Sequence, residues 1–198
     1  SLKEMILVQV SFALLLVVPP IWGIRNWLKY KDYSVPTDRS NYTTMVNSAV
    51  LYAVAFNLIF FLQELFLVMG KKALGLESFL YHNNHTWEGE HPMTSLMQGS
   101  GAMGIFLVGL ICLAIFTGIP NSKSSGKLFV LWLAFHGLMQ SIPQVIIAFL
   151  DPGTDVGETL VGYLQLNQPF LIFLALTSIA AMAMLSIWFC RRLLQFAP

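Results

Sequence analysis

Three of the four histidines in this 198-residue chain fall in one short polar stretch, residues 81–92. His82, His85 and Glu88 are spaced three apart, so they would share one face if the stretch were helical. Imidazole and carboxylate ligands suit zinc or a similar divalent ion. The spacing is not that of the His-Glu-x-x-His zinc-protease motif, and the surrounding Asn, Gly and Pro residues favour a turn-rich loop. The candidate metal ligands are therefore His82, His85, Glu88 and His91, and the alternative is a solvated polar loop.

Glu64 is the only acidic residue inside a long apolar run. An ionisable group in hydrocarbon is costly, so such a residue usually faces protein or a water-filled cavity. Asn57 precedes it by seven residues, which places both side chains on nearly the same face of a helix. Glu64 is either a proton-carrying or cation-binding carboxylate, or a glutamate that hydrogen-bonds a neighbouring helix.

A second polar stripe is formed by His136, Gln140 and Gln144, which follow one another at spacings of four. At about 100° per residue they share one sector, which should face the interior of a helical bundle. His136 is the only histidine in a long apolar run, which argues against a bis-histidine haem. The stripe is either part of a polar path with Asn57 and Glu64 or a set of hydrogen bonds between helices.

The motifs of familiar enzymes are missing from the sequence, which has no Walker A loop, no Gly-x-Ser-x-Gly elbow and no Cys-x-x-Cys. Cys112 and Cys190 both lie in apolar runs and give no disulfide framework. Ser100 and Gly104 form a small-x-x-x-small pair, which lets another helix approach closely in a bilayer. This pair therefore predicts a packing surface.

The composition predicts that Glu64, His136 and the small-residue pair lie in membrane helices. Apolar residues make up 56% of the chain and charged residues 11%, whereas charged residues form about a quarter of a soluble domain. A net charge of +1 without a basic stripe excludes a nucleic-acid partner and leaves the lipid bilayer as the main surroundings. Five segments reach the roughly 20 apolar residues that a helix needs to cross a bilayer. We predict an all-α polytopic transmembrane helix bundle in one domain, 1–198, with spans at about 5–24, 44–69, 95–119, 128–150 and 169–190.

Basic residues predict which loops face the cytoplasm, because short cytoplasmic loops retain Lys and Arg. Eight of the eleven follow the first, third or fifth span, and the exceptions are Lys3, Lys71 and Lys72. The expected topology in the plasma membrane therefore has the N-terminus outside, the C-terminus inside and outer loops at 70–94 and 151–168. This topology also places 24–43 at the cytoplasmic headgroups and predicts a short interfacial or re-entrant helix over 158–166.

Three functions fit these features. The first, and the best supported by composition, is an accessory or scaffold subunit that acts by association with other membrane subunits or with copies of itself. The second is a membrane-embedded hydrolase, in which a divalent metal held by the outer histidines and acids activates water against a lipid or peptide substrate. In that hypothesis Glu88 or Glu64 takes the proton, and Glu64 or Asp155 joins the ligands. The third is a small transporter or proton-conducting unit that uses Glu64 and His136.

Overall fold

The computed structural model describes residues 2–30, 39–81, 84–120 and 124–196. Helices dominate this part of the chain, and one small antiparallel hairpin interrupts them. The helices are α1 (Leu2–Tyr30), α2 (Arg39–Ala73), α3 (Thr94–Gln98), α4 (Ser100–Gly118), α5 (Ser125–Leu150), α6 (Asp155–Gly157) and α7 (Gln168–Leu193). The hairpin consists of β1 (Glu77–Leu80) and β2 (His85–Glu88), and a π-helical turn (Glu158–Tyr163) follows α6.

Five helical stretches are long and apolar enough to cross a membrane, which confirms the predicted helical membrane bundle. They are Ile6–Asn26, Tyr42–Ala73, Thr94–Gly118, Ser125–Leu150 and Gln168–Phe196. The predicted segment 24–43 is divided between the end of α1 and the start of α2, and its residues 31–38 lie outside the described part of the chain. A helical segment does occur close to 158–166, as α6 and the π-helical turn.

The second helix extends beyond its predicted end and carries Lys71 with it. It closes with two overlapping backbone hydrogen bonds, from Gly75 N–H to the Lys72 carbonyl and from Leu76 N–H to the Lys71 carbonyl. Gly75 has a φ of +78°, the left-handed conformation that this Schellman ending requires and that glycine adopts without strain. Lys71 therefore occupies the last turn of a helix instead of a loop.

The hairpin lies against the end of α2. Ser78 pairs with Trp87 and Leu80 with His85 across the two strands, and these four side chains share one face of the hairpin. Ser78 is buried and its hydroxyl donates to the Val68 carbonyl of α2 at 3.1 Å. Alternate residues of a strand point to opposite faces, so the remaining side chains form the other face. This face is exposed and consists of Glu77, Phe79, Thr86 and Glu88.

Small residues allow the central helices to approach closely. A Cβ atom on Gly137 of α5 would lie 2.6 Å from the Cα of Gly109 in α4, so the two backbones are in direct contact. In the third span, Gly104 packs under the Phe66 ring of α2, and the Ser100 hydroxyl donates to the Phe66 carbonyl at 3.0 Å. The small-residue pair of the third span is therefore used within the chain.

The two ends of the bundle differ in their polar contacts. Successive spans run in opposite directions, so the end of α2, the hairpin, α3, the end of α5 and α6 lie together; we call this the hairpin end. At the opposite end, Lys127 is buried and its Nζ donates to the carbonyls of Ile119 and Pro120 at 3.0 and 3.1 Å. These carbonyls follow the end of α4, so Lys127 caps that helix.

Candidate functional site

Charged and polar side chains from four elements converge at the hairpin end, although the bundle around them is apolar. Three of them are almost fully enclosed: Lys71 is 0% exposed, Gln98 5% and Glu64 8%. Such burial of ionisable groups is rare unless partners or a function require it. We call the following group the polar cluster: Glu64 and Lys71 of α2, His85 and Trp87 of β2, Gln98 of α3 and Asp155 of α6.

Lys71 is held by an amide and an aromatic ring. Its Nζ donates to the Gln98 side-chain oxygen at 2.8 Å and lies 3.8 Å from the centre of the Trp87 ring. Within the described residues, no carboxylate lies at salt-bridge distance from this ammonium. Its positive charge is therefore balanced at longer range, by Asp155 and Glu158.

His85 is oriented by Glu64. Its Nδ1 lies 2.8 Å from the Glu64 Oε2 atom. Because an ionised carboxylate can only accept, this contact places a proton on Nδ1, and in the neutral form of the ring the lone pair is then on Nε2. Nε2 is buried and has no hydrogen-bond partner among the described residues. The ring also stacks on Trp87, with ring centres 5.7 Å apart, so His85 presents an oriented base to the cluster.

Asp155 brings a further carboxylate to the cluster from the first turn of α6. Burial raises the pKa of Asp155, and the negative charges of Glu64 and Glu158 raise it further. The charges of His85 and Lys71 act in the opposite direction. Asp155 thus lies within electrostatic range of the Glu64–His85 pair and Lys71.

An apolar groove adjoins the polar cluster. It has a volume of about 380 Å³ and lies between the third, fourth and fifth spans. Val156, Thr159 and Leu160, from α6 and the π-helical turn, close it at the hairpin end. The Thr159 hydroxyl donates to the Ser95 carbonyl at 2.8 Å, which links the π-helical turn to α3. The groove and the polar cluster are therefore built in part from neighbouring residues. Gln98 of the cluster is followed by Gly99 of the groove, and Asp155 is followed by Val156.

A second group of polar contacts links α2 to α5. The Gln144 amide donates to the Gln63 side-chain oxygen at 3.1 Å and to the Gln140 carbonyl at 3.0 Å. Gln140 in turn lies 3.4 Å from the His136 Nδ1 atom. His136 is 2% exposed, its Nε2 atom has no hydrogen-bond partner among the described residues, and aromatic rings surround it. The predicted α5 stripe thus faces α2, through Gln63.

The structure brings Glu64 to His85 but not to this α5 stripe. Gln63, which meets Gln144, precedes Glu64 by one residue, and a helix turns about 100° per residue. Asn57, which shares the face of Glu64, is exposed and donates to the Ala53 carbonyl of its own helix at 2.8 Å. Glu64 therefore turns toward the hairpin, while the face that carries Gln63 turns toward α5.

The predicted metal ligands are dispersed where the structure describes them. His85 and Glu88 point to opposite faces because residues 85–88 form a strand, in which three positions apart means opposite sides. The Nδ1 of His91 accepts a hydrogen bond from the Met93 N–H at 3.1 Å, and His82 lies outside the described residues. In the described ranges, no group of three His, Cys, Asp or Glu side chains could hold a metal ion. The four-residue metal site stays a prediction.

Lys71, Trp87, Gln98 and Gln63 are not among the residues predicted from the sequence. Lys71 could have been found, because it follows Glu64 by seven residues and Asn57 by fourteen and so continues the same helical face. Gln98 has no comparable signal, since its partner Lys71 is 27 positions away. Only the packing of α3 against the end of α2 brings the two side chains together.

Comparison with known proteins adds no family to this picture. No family model matches the chain, and neither the curated proteins nor the solved structures include a significant match.

Proposed function

We propose that this membrane protein is a hydrolase whose site is the polar cluster, and that the hairpin end faces the outside of the cell. The observation that carries the proposal is the buried Glu64–His85 pair beside the Lys71 ammonium. A histidine that a carboxylate holds through Nδ1, with a lone pair on Nε2, has the arrangement of a general base. Lys71 supplies a fixed positive charge at the same place.

The cost of the cluster favours a function over a purely structural role. Hydrogen bonds between membrane helices contribute only about 0.6 kcal/mol each on average. Removing an ammonium or carboxylate from water costs several kcal/mol even after relaxation. Apolar side chains at positions 64 and 71 would hold α2 against its neighbours without that cost. Buried ionisable groups that converge in this way are typical of catalytic sites.

The cluster supports a simple sequence of proton transfers. His85 Nε2 takes a proton from water, and the water oxygen bonds to the carbonyl carbon of an ester while the π electrons move to the carbonyl oxygen. The Lys71 ammonium stabilises the resulting negative charge. Collapse of this intermediate breaks the bond between the carbonyl carbon and the alcohol oxygen, and His85 returns its proton to that oxygen. The products are a carboxylic acid and an alcohol.

The proposal is tested by hydrolysis in ¹⁸O-labelled water, which marks the acid product of any ester. Purified protein is reconstituted into vesicles made from the total lipid extract of its host, and ¹⁸O-labelled carboxylic acids are quantified by mass spectrometry. We expect labelled products with the wild type and a loss of about 100-fold or more in His85→Gln and Glu64→Gln, since general-base catalysis contributes roughly 10²–10⁴-fold.

Two neighbouring residues provide matched controls. Glu88→Gln removes a carboxylate on the exposed face of the hairpin, and Lys72→Met removes an exposed ammonium next to Lys71. Both should hydrolyse as the wild type does, whereas Lys71→Met should lose activity. This variant also leaves the buried Gln98 oxygen without its donor, so its thermal midpoint is measured together with its activity. Equal product from the wild type, His85→Gln and protein-free vesicles would contradict the proposal. Loss of activity with a chelator, restored by zinc, would favour the metal-dependent hydrolase instead.

Association with a membrane partner remains a second candidate function. Its support is now the apolar groove, because Thr177 and Ala181 of α7 line it together with Ala102 of α4. Small residues at such a surface admit the backbone of another helix. Ser100 and Gly104, by contrast, lend it no support because they pack against α2.

Proton conduction has weaker support from the geometry. The contacts between α2 and α5 run through the amides of Gln63, Gln140 and Gln144, which do not titrate. In the described part of the chain, the hydrogen bonds and ring contacts of His136 do not connect it to the Glu64–His85 pair.

A further inference from the structure

The apolar groove lies in the half of the bundle nearest the hairpin end. Its walls include Ala102 and Phe106, which fall within about the first two turns of α4. On α5 and α7, the lining residues Val145 and Leu174 are likewise within about two turns of the hairpin end. The groove therefore runs alongside one leaflet, the outer one under the topology proposed above.

Three of the hydroxyl groups on the groove wall have partners inside the protein. The Ser141 hydroxyl donates to the Gly137 carbonyl at 2.7 Å, and the Ser178 hydroxyl to the Leu174 carbonyl at 2.8 Å. The Thr159 hydroxyl donates to the Ser95 carbonyl. Apart from the Thr177 hydroxyl, a ligand in the groove thus meets mainly methyl, methylene and ring groups, which favours hydrocarbon over a polar molecule. The volume of about 380 Å³ is within the usual range of ligand sites, about 300–1,000 Å³.

One end of the groove adjoins the polar cluster. Gly99 lines the groove and directly follows Gln98, whose side chain binds Lys71. Thr159 lines it one turn after Asp155, and its hydroxyl is 3.3 Å from the Asp155 carbonyl. A Cβ on Gly99 would lie 2.8 Å from the Thr159 hydroxyl oxygen, so these two elements close tightly over the groove. The end of the groove at Gly99 and Thr159 is therefore the end nearest to the polar cluster.

We propose that the groove binds the acyl chain of an outer-leaflet lipid ester, and that this places the ester at the polar cluster. The substrate class is thus an acylated membrane lipid. The inference rests on the proposed hydrolase function for the position of the ester, whereas binding of the chain is tested separately.

The experiment uses photocrosslinking in vesicles of phosphatidylcholine that contain a small fraction of phosphatidylcholine with a diazirine in its palmitoyl chain. After irradiation of the reconstituted protein, labelled residues are mapped by mass spectrometry. We expect label concentrated on wall residues such as Met103 and Leu160. Ala181→Phe fills the groove and should reduce this label roughly tenfold, a change worth about 1.4 kcal/mol. Ala180→Phe makes the same substitution on the adjacent exposed position and should leave the label unchanged.

A second variant and a second readout separate the outcomes. Ala102→Phe fills the groove from α4, so its agreement with Ala181→Phe excludes a local effect on α7. Wall label in His85→Gln equal to the wild type, with hydrolysis lost, supports both proposals. Wall label without hydrolysis by any form supports the chain site and contradicts the hydrolase. The chain site is overturned by label spread evenly over lipid-facing residues, or by full hydrolysis in Ala181→Phe.

Discussion

The carboxyl group of Asp155 makes the folded protein sensitive to pH. Burial and nearby carboxylates raise its pKa above the usual aspartate value, so the folded state binds its proton more tightly than the unfolded state does. The associated stability is fully present below the unfolded-state pKa. It is lost as the pH rises through the higher folded-state pKa.

Asp155→Asn should therefore remove part of the pH dependence of unfolding. Because the amide resembles the protonated acid, we expect the variant to melt higher than the wild type at neutral pH and to match it at low pH. The expected shift is roughly 2–4 °C for each kcal/mol removed. The measurement is the thermal midpoint in one detergent across this pH range. Glu90→Gln, at an exposed position, serves as the control; parallel pH profiles for Asp155→Asn and the wild type would refute the expectation.

For single residues, the sequence identifies some members of the polar cluster, such as Glu64 and His85, but not all the residues that they contact. The seven-residue interval between Asn57 and Glu64 places both residues on one side of α2, yet it does not reveal that Glu64 is buried while Asn57 is exposed. The direction of Glu64 depends on a hairpin that returns His85 to the end of α2. A helical spacing groups Glu88 with His85, whereas strand geometry separates them. The spacing of residues in the sequence shows which side chains share one face of a helix, whereas tertiary packing determines which residues that face contacts.

Among the elements, the α4–α5 pair depends most directly on residue size. Gly137→Ala would place a methyl group 2.6 Å from the Gly109 Cα and 2.7 Å from the Ile105 carbonyl oxygen, both of which are backbone atoms. The two helices would have to separate, so we expect destabilisation at the upper end of the roughly 1–3 kcal/mol typical of overpacking.

Gly126→Ala is the matched control for this prediction. It lies in the same helix, and an added Cβ would meet no atom within 4 Å. The higher helix propensity of alanine should make it neutral or more stable by up to about 1 kcal/mol. Thermal unfolding of both variants in the same detergent provides the measurement. If Gly137→Ala had the same thermal midpoint as Gly126→Ala, the close crossing of α4 and α5 would not contribute to stability as described.

The sequence predicts the long elements well because the bilayer imposes their length and apolar character. The short ones, α3, α6, the π-helical turn and the hairpin, lack such a constraint. Isolated segments of this size are marginal on their own and owe their stability to tertiary contacts. Thr159, for example, stabilises its turn through carbonyls of residues more than sixty positions away. These short elements form most of the candidate site, so the site is less predictable than the bundle.

For the whole molecule, the orientation in the membrane is the property on which the proposed substrate depends. We expect the hairpin end outside and the end near Phe196 inside. Two cysteine reporters test this in a Cys190→Ser background: Glu90→Cys at the hairpin end and Gln195→Cys at the other, both at exposed positions. Cys112 is buried and should stay silent.

A membrane-impermeant maleimide applied to intact cells should label Glu90→Cys at once and Gln195→Cys only after permeabilisation. The Cys190→Ser parent gives the background for both reporters. The reverse pattern would place the polar cluster at the inner leaflet, and the hydrolase would then act on lipids of that leaflet instead.

Lys127 belongs to the basic residues that predict this orientation, yet its ammonium ends up buried on the carbonyls that close α4. In the predicted topology, the same charge also belongs to the basic residues that keep their loop in the cytoplasm. We therefore expect a neutral substitution at position 127 to act by two separate routes: on the mature fold, through loss of the contacts that cap α4, and on membrane orientation, if the predicted topology is correct.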